Sequence, residues 1–189
     1  MTTLPGTVLP AQEGNIRYGF ANFAPLFIAT RGLTLSQVCE IAGLEPTTVQ
    51  NWIKRGWVAH PEQKRYHEPH LARILVINML RKGMQLEKIA CLLRYINGSA
   101  DDRNDDIIPD SELYSRLCTI VDDVLLQNIT EADAVRACIA GTLTDYSEPY
   151  PGAKEKLSAA LTVMTLTYIA SVIITKAENL FDSLSAERI

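Results

Sequence analysis

No Cys-x-x-Cys pair occurs in the 189 residues, and the four cysteines (Cys39, Cys91, Cys118 and Cys138) lie far apart. That spacing argues against compact thiolate metal sites and dithiol redox centres. It points instead to reduced thiols buried among apolar helical residues in a cytoplasmic protein. Also missing are a P-loop, a dinucleotide-binding glycine fingerprint and a nucleophile elbow. Histidine is scarce, and His60, His67 and His70 fall in one short stretch without the carboxylate and cysteine partners of a metal site. They read as exposed polar groups. An enzyme is therefore not expected, and no cofactor or metal is implied. The first residues carry no basic start followed by a cleavable apolar run, which argues against secretion.

The net charge of −4 lacks the basic excess of many nucleic-acid binders, but it is unevenly distributed. Residues 1–98 hold 11 Lys and Arg against 6 Asp and Glu, a balance of +5; residues 99–189 hold 7 against 16, a balance of −9. Such asymmetry fits a basic module that faces nucleic acid joined to an acidic one that faces a partner.

The basic half contains the most ordered pattern. Thr34 followed by Gln37 predicts a capping box, and Gly43 predicts a left-handed stop. Pro46 then opens a second helix, and Gly56 closes it. At 100° per residue, Val49, Trp52 and Ile53 share one side and face Val38, Cys39, Ala42 and Leu44. Thr47, Asn51 and Lys54 lie opposite, flanked by Thr48, Gln50 and Arg55. These side chains suit base edges and phosphates, although a solvated helical face would look similar. After Gly56 comes an apolar stretch, Trp57-Val58-Ala59, then Pro61 and the basic run Lys64-Arg65-Tyr66.

The ensemble of Gly56-Trp57-Val58, Pro61, Lys64-Arg65-Tyr66, Leu71-Ala72-Arg73 and the run Gly83 to Ile89 resembles the MerR family of transcription regulators. In more detail, the runs QNWIKRGWV, KRY, LARILVINML, MQLEKI, YINGS and DDIIP are similar to a bacterial family of presumed regulators, domain of unknown function 1836. The likeness covers about residues 24–125. It implies a mainly α protein, with a MerR-like winged helix-turn-helix domain followed by an all-helical C-terminal dimerisation or effector region. It also implies a sequence-specific regulator of transcription that binds double-stranded DNA as a homodimer at a palindromic operator. Thr47, Thr48, Gln50, Asn51 and Lys54 would be the readers, with Arg55 flanking them on the DNA-binding face, Lys64, Arg65 and Tyr66 the wing contacts, and Arg73 a backbone clamp. The chain departs from typical MerR proteins at Asn97-Gly98, where the family's long dimerising helix would continue.

The expected organisation is a partly loose lead-in over 1–30, the DNA-binding domain over 31–98, an acidic linker over 99–109 and helical residues over 110–189. Within the lead-in, Phe20, Phe23, Leu26, Phe27 and Ile28 form an apolar stretch expected to pack on the first domain. The linker does not make a calcium loop, because an EF-hand starting at Asp102 would need Gly at 107 and Glu at 113, where Ile and Leu stand. Helices are predicted over about 69–82, 86–96, 111–127, a short segment capped by Thr130, and 153–185. The uncharged stretch Leu157–Thr175 is long enough for a membrane span. Its scattered Ser and Thr favour a buried helix instead, between two subunits or inside one. A small-molecule effector pocket among these helices has no convergent polar group to mark it. Two other functions stay open: a protein-interaction or architectural module, and a membrane-associated regulator.

Overall fold

The structure, a computed structural model, describes residues 3–12 and 14–186. Within these described residues, eight α helices follow a 3-10 segment, Asn15–Phe23: α1 Ala24–Ala29, α2 Leu35–Ala42, α3 Pro46–Lys54, α4 Glu68–Leu80, α5 Leu86–Asn97, α6 Asp110–Leu126, α7 Ala132–Thr142 and α8 Ala153–Ala186. Among the described residues there are isolated β-bridges and no extended strand. The protein is mainly α.

Helix α4 explains why the two charge halves do not separate. Its run from His70 to Leu80 is buried except at the half-buried Asn78, and it packs on α2 and α5 of the basic half and on α6 and α8 of the acidic half. A helix apolar on nearly every side must be covered on every side. One continuous core results, running from Leu33, Val38 and Val49 through Leu75 and Leu80 to Leu117, Val121, Leu157 and Met164.

Residues 3–12 depart from the loose lead-in expected. Thr3 and Pro10 pair as an antiparallel bridge, Leu4 is buried, and the Thr7 hydroxyl donates to the Leu4 carbonyl. The Tyr114 hydroxyl donates to Pro5 O at 2.7 Å. The Asn78 amide donates to both Gly6 O and Ala42 O, at 2.8 and 2.7 Å, so α4 ties this segment to the end of α2. Backbone groups satisfied in this way give a short Pro- and Gly-containing segment a fixed course. The remainder of the loose stretch, Met1, Thr2 and Glu13, lies outside the described residues. The expected packing of the apolar lead-in on the first domain is corrected: the segment packs chiefly on α6, with Phe20 and Phe23 against Tyr114, and Leu26 and Ile28 are exposed.

The acidic linker is also folded. Asn97 donates from its amide to Ile108 O at 2.7 Å, and Ile107 and Ile108 are buried. This clamp turns the chain back into the core, so only part of the segment is solvated. Glu131 rather than Thr130 occupies the N-cap position of α7, without a side-chain capping hydrogen bond.

Candidate nucleic-acid interface

Local chemistry builds the α2–α3 unit as its sequence predicts. The Thr34 N–H donates to Gln37 Oε1 at 2.8 Å, and the Gln37 N–H donates back to Thr34 Oγ1 at 3.3 Å. Two otherwise orphaned amides at the start of α2 are satisfied together. Gly43 ends α2 at φ 63°, a conformation that glycine adopts without the penalty of a Cβ. Pro46 stands in the first turn of α3, where its missing N–H costs nothing.

Helix α3 then divides as its periodicity requires. Val49, Trp52 and Ile53 are buried, and the burial of Val49 and Ile53 contributes roughly 1.5–3 kcal/mol each. Thr47, Gln50, Asn51 and Lys54 are exposed, and Thr48 is half-buried. Among the described residues none of these five side chains has a hydrogen-bond or ion-pair partner. The outer face of α3 is thus anchored from behind, with its polar groups unspent.

Arg55 is different. Its guanidinium meets Glu87 of α5 at 3.2 Å and stands 5.0 Å from the centre of the Trp57 ring. Both charges are exposed, so the pair is worth little in stability, but it holds the arginine over the end of α3. A cleft of about 300 Å³ lies there, lined by Thr48, Asn51, Arg55, Trp57 and Glu87 among others. Sequence reasoning missed Glu87 because it lies 32 residues away and no local pattern pairs it with Arg55.

Trp57 and Val58 are buried and lead the chain away from α3. Leu33 and Tyr66 then exchange two backbone hydrogen bonds of 2.8 Å, fixing the base of a loop just ahead of α2. At the loop's tip Glu62 and Arg65 pair across Gln63 (φ 49°) and Lys64 (φ 62°). Two successive positive φ values are those of a type I′ turn, which favours Asn or Gly and here uses neither. Lys64 projects at this turn without an ion-pair partner among the described residues, while Arg65, also exposed, reaches Gly32 O at 3.5 Å.

Two expected contact residues are corrected. Tyr66 is 4% exposed, its ring edge-on to His70, and burial pushes its hydroxyl pKa up. Arg73 is also 4% exposed, and its guanidinium donates to both carboxylate oxygens of Asp110, at 3.3 and 3.4 Å. Neither side chain can reach DNA from these positions. Tyr66 points inward because its backbone closes the base of the loop; Arg73 points inward because it lies on the fully covered face of α4.

The histidines and cysteines also differ from expectation. His70 is buried: its Nδ1 accepts from the His67 N–H at 3.1 Å, and its Nε2 lies 3.1 Å from His60 O. A neutral ring with the proton on Nε2 satisfies both contacts, and burial lowers its pKa. His60 is exposed and sits 3.4 Å from Asp101, whose pKa is lowered chiefly by the hydrogen bond from the His60 backbone. Cys39 and Cys118 are buried, with Cys118 pushed up to about 12 by desolvation, but Cys91 is exposed and Cys138 half-buried. The buried-thiol expectation holds for two of the four. Among the described residues no group of three His, Cys, Asp or Glu side chains converges as a metal site would require.

Residues 29–117 match the family model of domain of unknown function 1836, which spans α2 to α5 and the first half of α6. The chain is also similar to an uncharacterised protein of Bacillus subtilis (strain 168), YkrK, with 29% identity over 94 residues. That alignment covers 48% of this chain and 40% of the relative, so the chain spans less than half of that protein. No solved structure matches significantly.

Proposed function

We propose that the DUF1836 region is a MerR-like winged helix-turn-helix and that the protein is a sequence-specific DNA-binding regulator of transcription. The observation that carries this reading is the outer face of α3. Thr47, Gln50, Asn51 and Lys54 stand exposed without partners while Val49, Trp52 and Ile53 lock the helix from behind. A helix held in this way can enter a major groove and offer donors and acceptors to base edges. Lys64 and Arg65, on the projecting I′ turn, are suited to phosphates and serve as the wing. Arg55 contributes to the same surface from its place beside Glu87. The protein acts as a homodimer on an inverted repeat, in the cytoplasm.

Selection of bound sites from a random duplex pool by the purified full chain tests this reading. Enrichment of one half-site, repeated with inverted symmetry, is the expected result. Failure to retain any duplex at low salt would overturn it. A second reading, a protein-interaction module on the same scaffold, is favoured by the exposed carboxylates of Glu45 at the start of α3, Glu62 at the loop turn and Glu87 beside Arg55. A folded protein that ignores DNA at low salt would support that alternative.

A further inference from the structure

Helix α8 is 34 residues long, roughly 50 Å, and only its first half is built into the core. Leu157, Ala160, Leu161 and Met164 are buried, and Ile169 marks the end of the apolar packing. A different side of the same helix carries Ala159, Val163, Leu166, Ala170, Ile173, Ala177, Leu180 and Leu184. The steps between them alternate four and three, which is the a/d seam of a heptad repeat. All are exposed except the half-buried Leu166, with Ile173 at 54%, Leu180 at 67% and Leu184 at 63%. Beyond residue 174 the other sides bear Thr175, Lys176, Glu178, Asn179, Asp182 and Ser183 together with the exposed Phe181.

We propose that this seam pairs with the same seam of a second copy, antiparallel, about a two-fold axis near residues 171 and 172. The sizes of the side chains select both the occupant and its direction. Antiparallel packing sets Ala159 against Leu184, Val163 against Leu180, Leu166 against Ala177 and Ala170 against Ile173, and each layer recurs on the other side of the axis. Every alanine then faces a Leu or Ile, filling the seam evenly. Parallel, in-register packing would instead stack Ala159, Ala170 and Ala177 each on itself and leave three thin layers, which are costly as cavities. One surface that complements itself under a two-fold rotation is the signature of an isologous dimer. The arrangement also covers what the monomer leaves open, since the projecting half of each α8 lies along the body-borne half of its partner. A membrane would not explain the charged sides of the projecting half, nor the alternation of small and large residues on the seam.

This inference specifies the homodimer of the functional reading and is independent of the DNA contacts. Its test is cysteine cross-linking of the full chain in a background with Cys91 and Cys138 replaced by serine. Under mild oxidation, Val163→Cys with Leu180→Cys in one chain is expected to give covalent dimers, while each substitution alone gives little. Within one chain those positions are roughly 25 Å apart along the helix, too far for a disulfide, so the product must be intermolecular. Efficient cross-linking of Leu180→Cys alone would indicate parallel pairing and overturn the proposal. A wild-type chain that sediments as a monomer, or stays soluble only in detergent, would overturn it too. Ile173→Glu with Leu180→Glu, both at exposed positions, is expected to yield a monomer with unchanged helical circular dichroism. A dimer that survives this pair of charges would place the interface elsewhere.

Discussion

Arg73 and Asp110 meet 3.3 Å apart with side chains only 5% and 7% exposed, joining α4 to the first turn of α6. Burial pushes the Asp110 carboxyl up and the Arg73 guanidinium partly offsets that shift, so each group depends on the other to remain inside. Removing one partner should therefore cost far more than a surface ion pair does. Arg73→Met is expected to lower unfolding stability by about 3–5 kcal/mol, measured by urea titration, and Arg73→Met with Asp110→Leu by much less. If Arg73→Met kept full stability and weakened DNA binding instead, the arginine would be a phosphate contact after all.

Asp106 carries a pH signature of its own. Its pKa is raised to about 6 by burial and then by Asp110, with Arg73 opposing. A carboxyl with its folded pKa above the unfolded value of 3.8 binds protons more tightly when folded. Its contribution therefore improves as pH falls from about 6 towards 4, and above pH 6 its ionised form costs stability. Asp106→Asn should stabilise the protein at pH 7 by on the order of 1 kcal/mol, because partial exposure screens much of the full shift, and should have little effect at pH 4. Paired urea midpoints at the two pH values check this; an equal effect at both would remove the titration from the explanation.

Two glycines should respond in opposite directions. A Cβ on Gly83 would overlap the Thr167 carbonyl oxygen of α8, whereas a Cβ on Gly141, within α7, meets nothing within 4 Å. Gly83→Ala is expected to destabilise by about 1–3 kcal/mol through overpacking. Gly141→Ala should stabilise by roughly 0.5–1 kcal/mol through helix propensity. Thermal melts of the two variants give the comparison directly, and destabilisation by Gly141→Ala would contradict it.

Much of this architecture could be read locally. The Thr34–Gln37 box, the Gly43 stop and the Pro46 start are chemical devices within one or two turns, so the sequence displays them in full. The buried side of α3 follows from helical spacing alone. What escaped reading depends on distance in the chain: Glu87 beside Arg55, Asp110 beside Arg73, and the Asn97 clamp that folds the linker inward. One clue was available for Arg73. It interrupts the apolar run from Leu71 to Leu80, and a charge inside a helix covered on all sides must have a buried partner. Tyr66 offered no such clue, since a basic neighbour on one side and a histidine on the other look like a surface.

The proposed wing and the proposed reading helix should fail differently. Lys64→Ala with Arg65→Ala is expected to weaken binding to all duplexes and to reduce the salt slope by about one per lost phosphate contact. Asn51→Ala should alter the preferred base at one position in each half-site, with about 1–3 kcal/mol less discrimination there. Site-selection profiles together with salt titrations separate the two effects. An unchanged Asn51→Ala profile would remove that residue from the reading face.

The proposed DNA-binding function is tested first by binding of the full chain to the duplex upstream of its own coding sequence and to a scrambled duplex, across a salt series. A DNA-reading regulator should bind the upstream duplex more tightly, with affinity falling steeply as salt rises. No binding to either duplex, even at low salt, would contradict it.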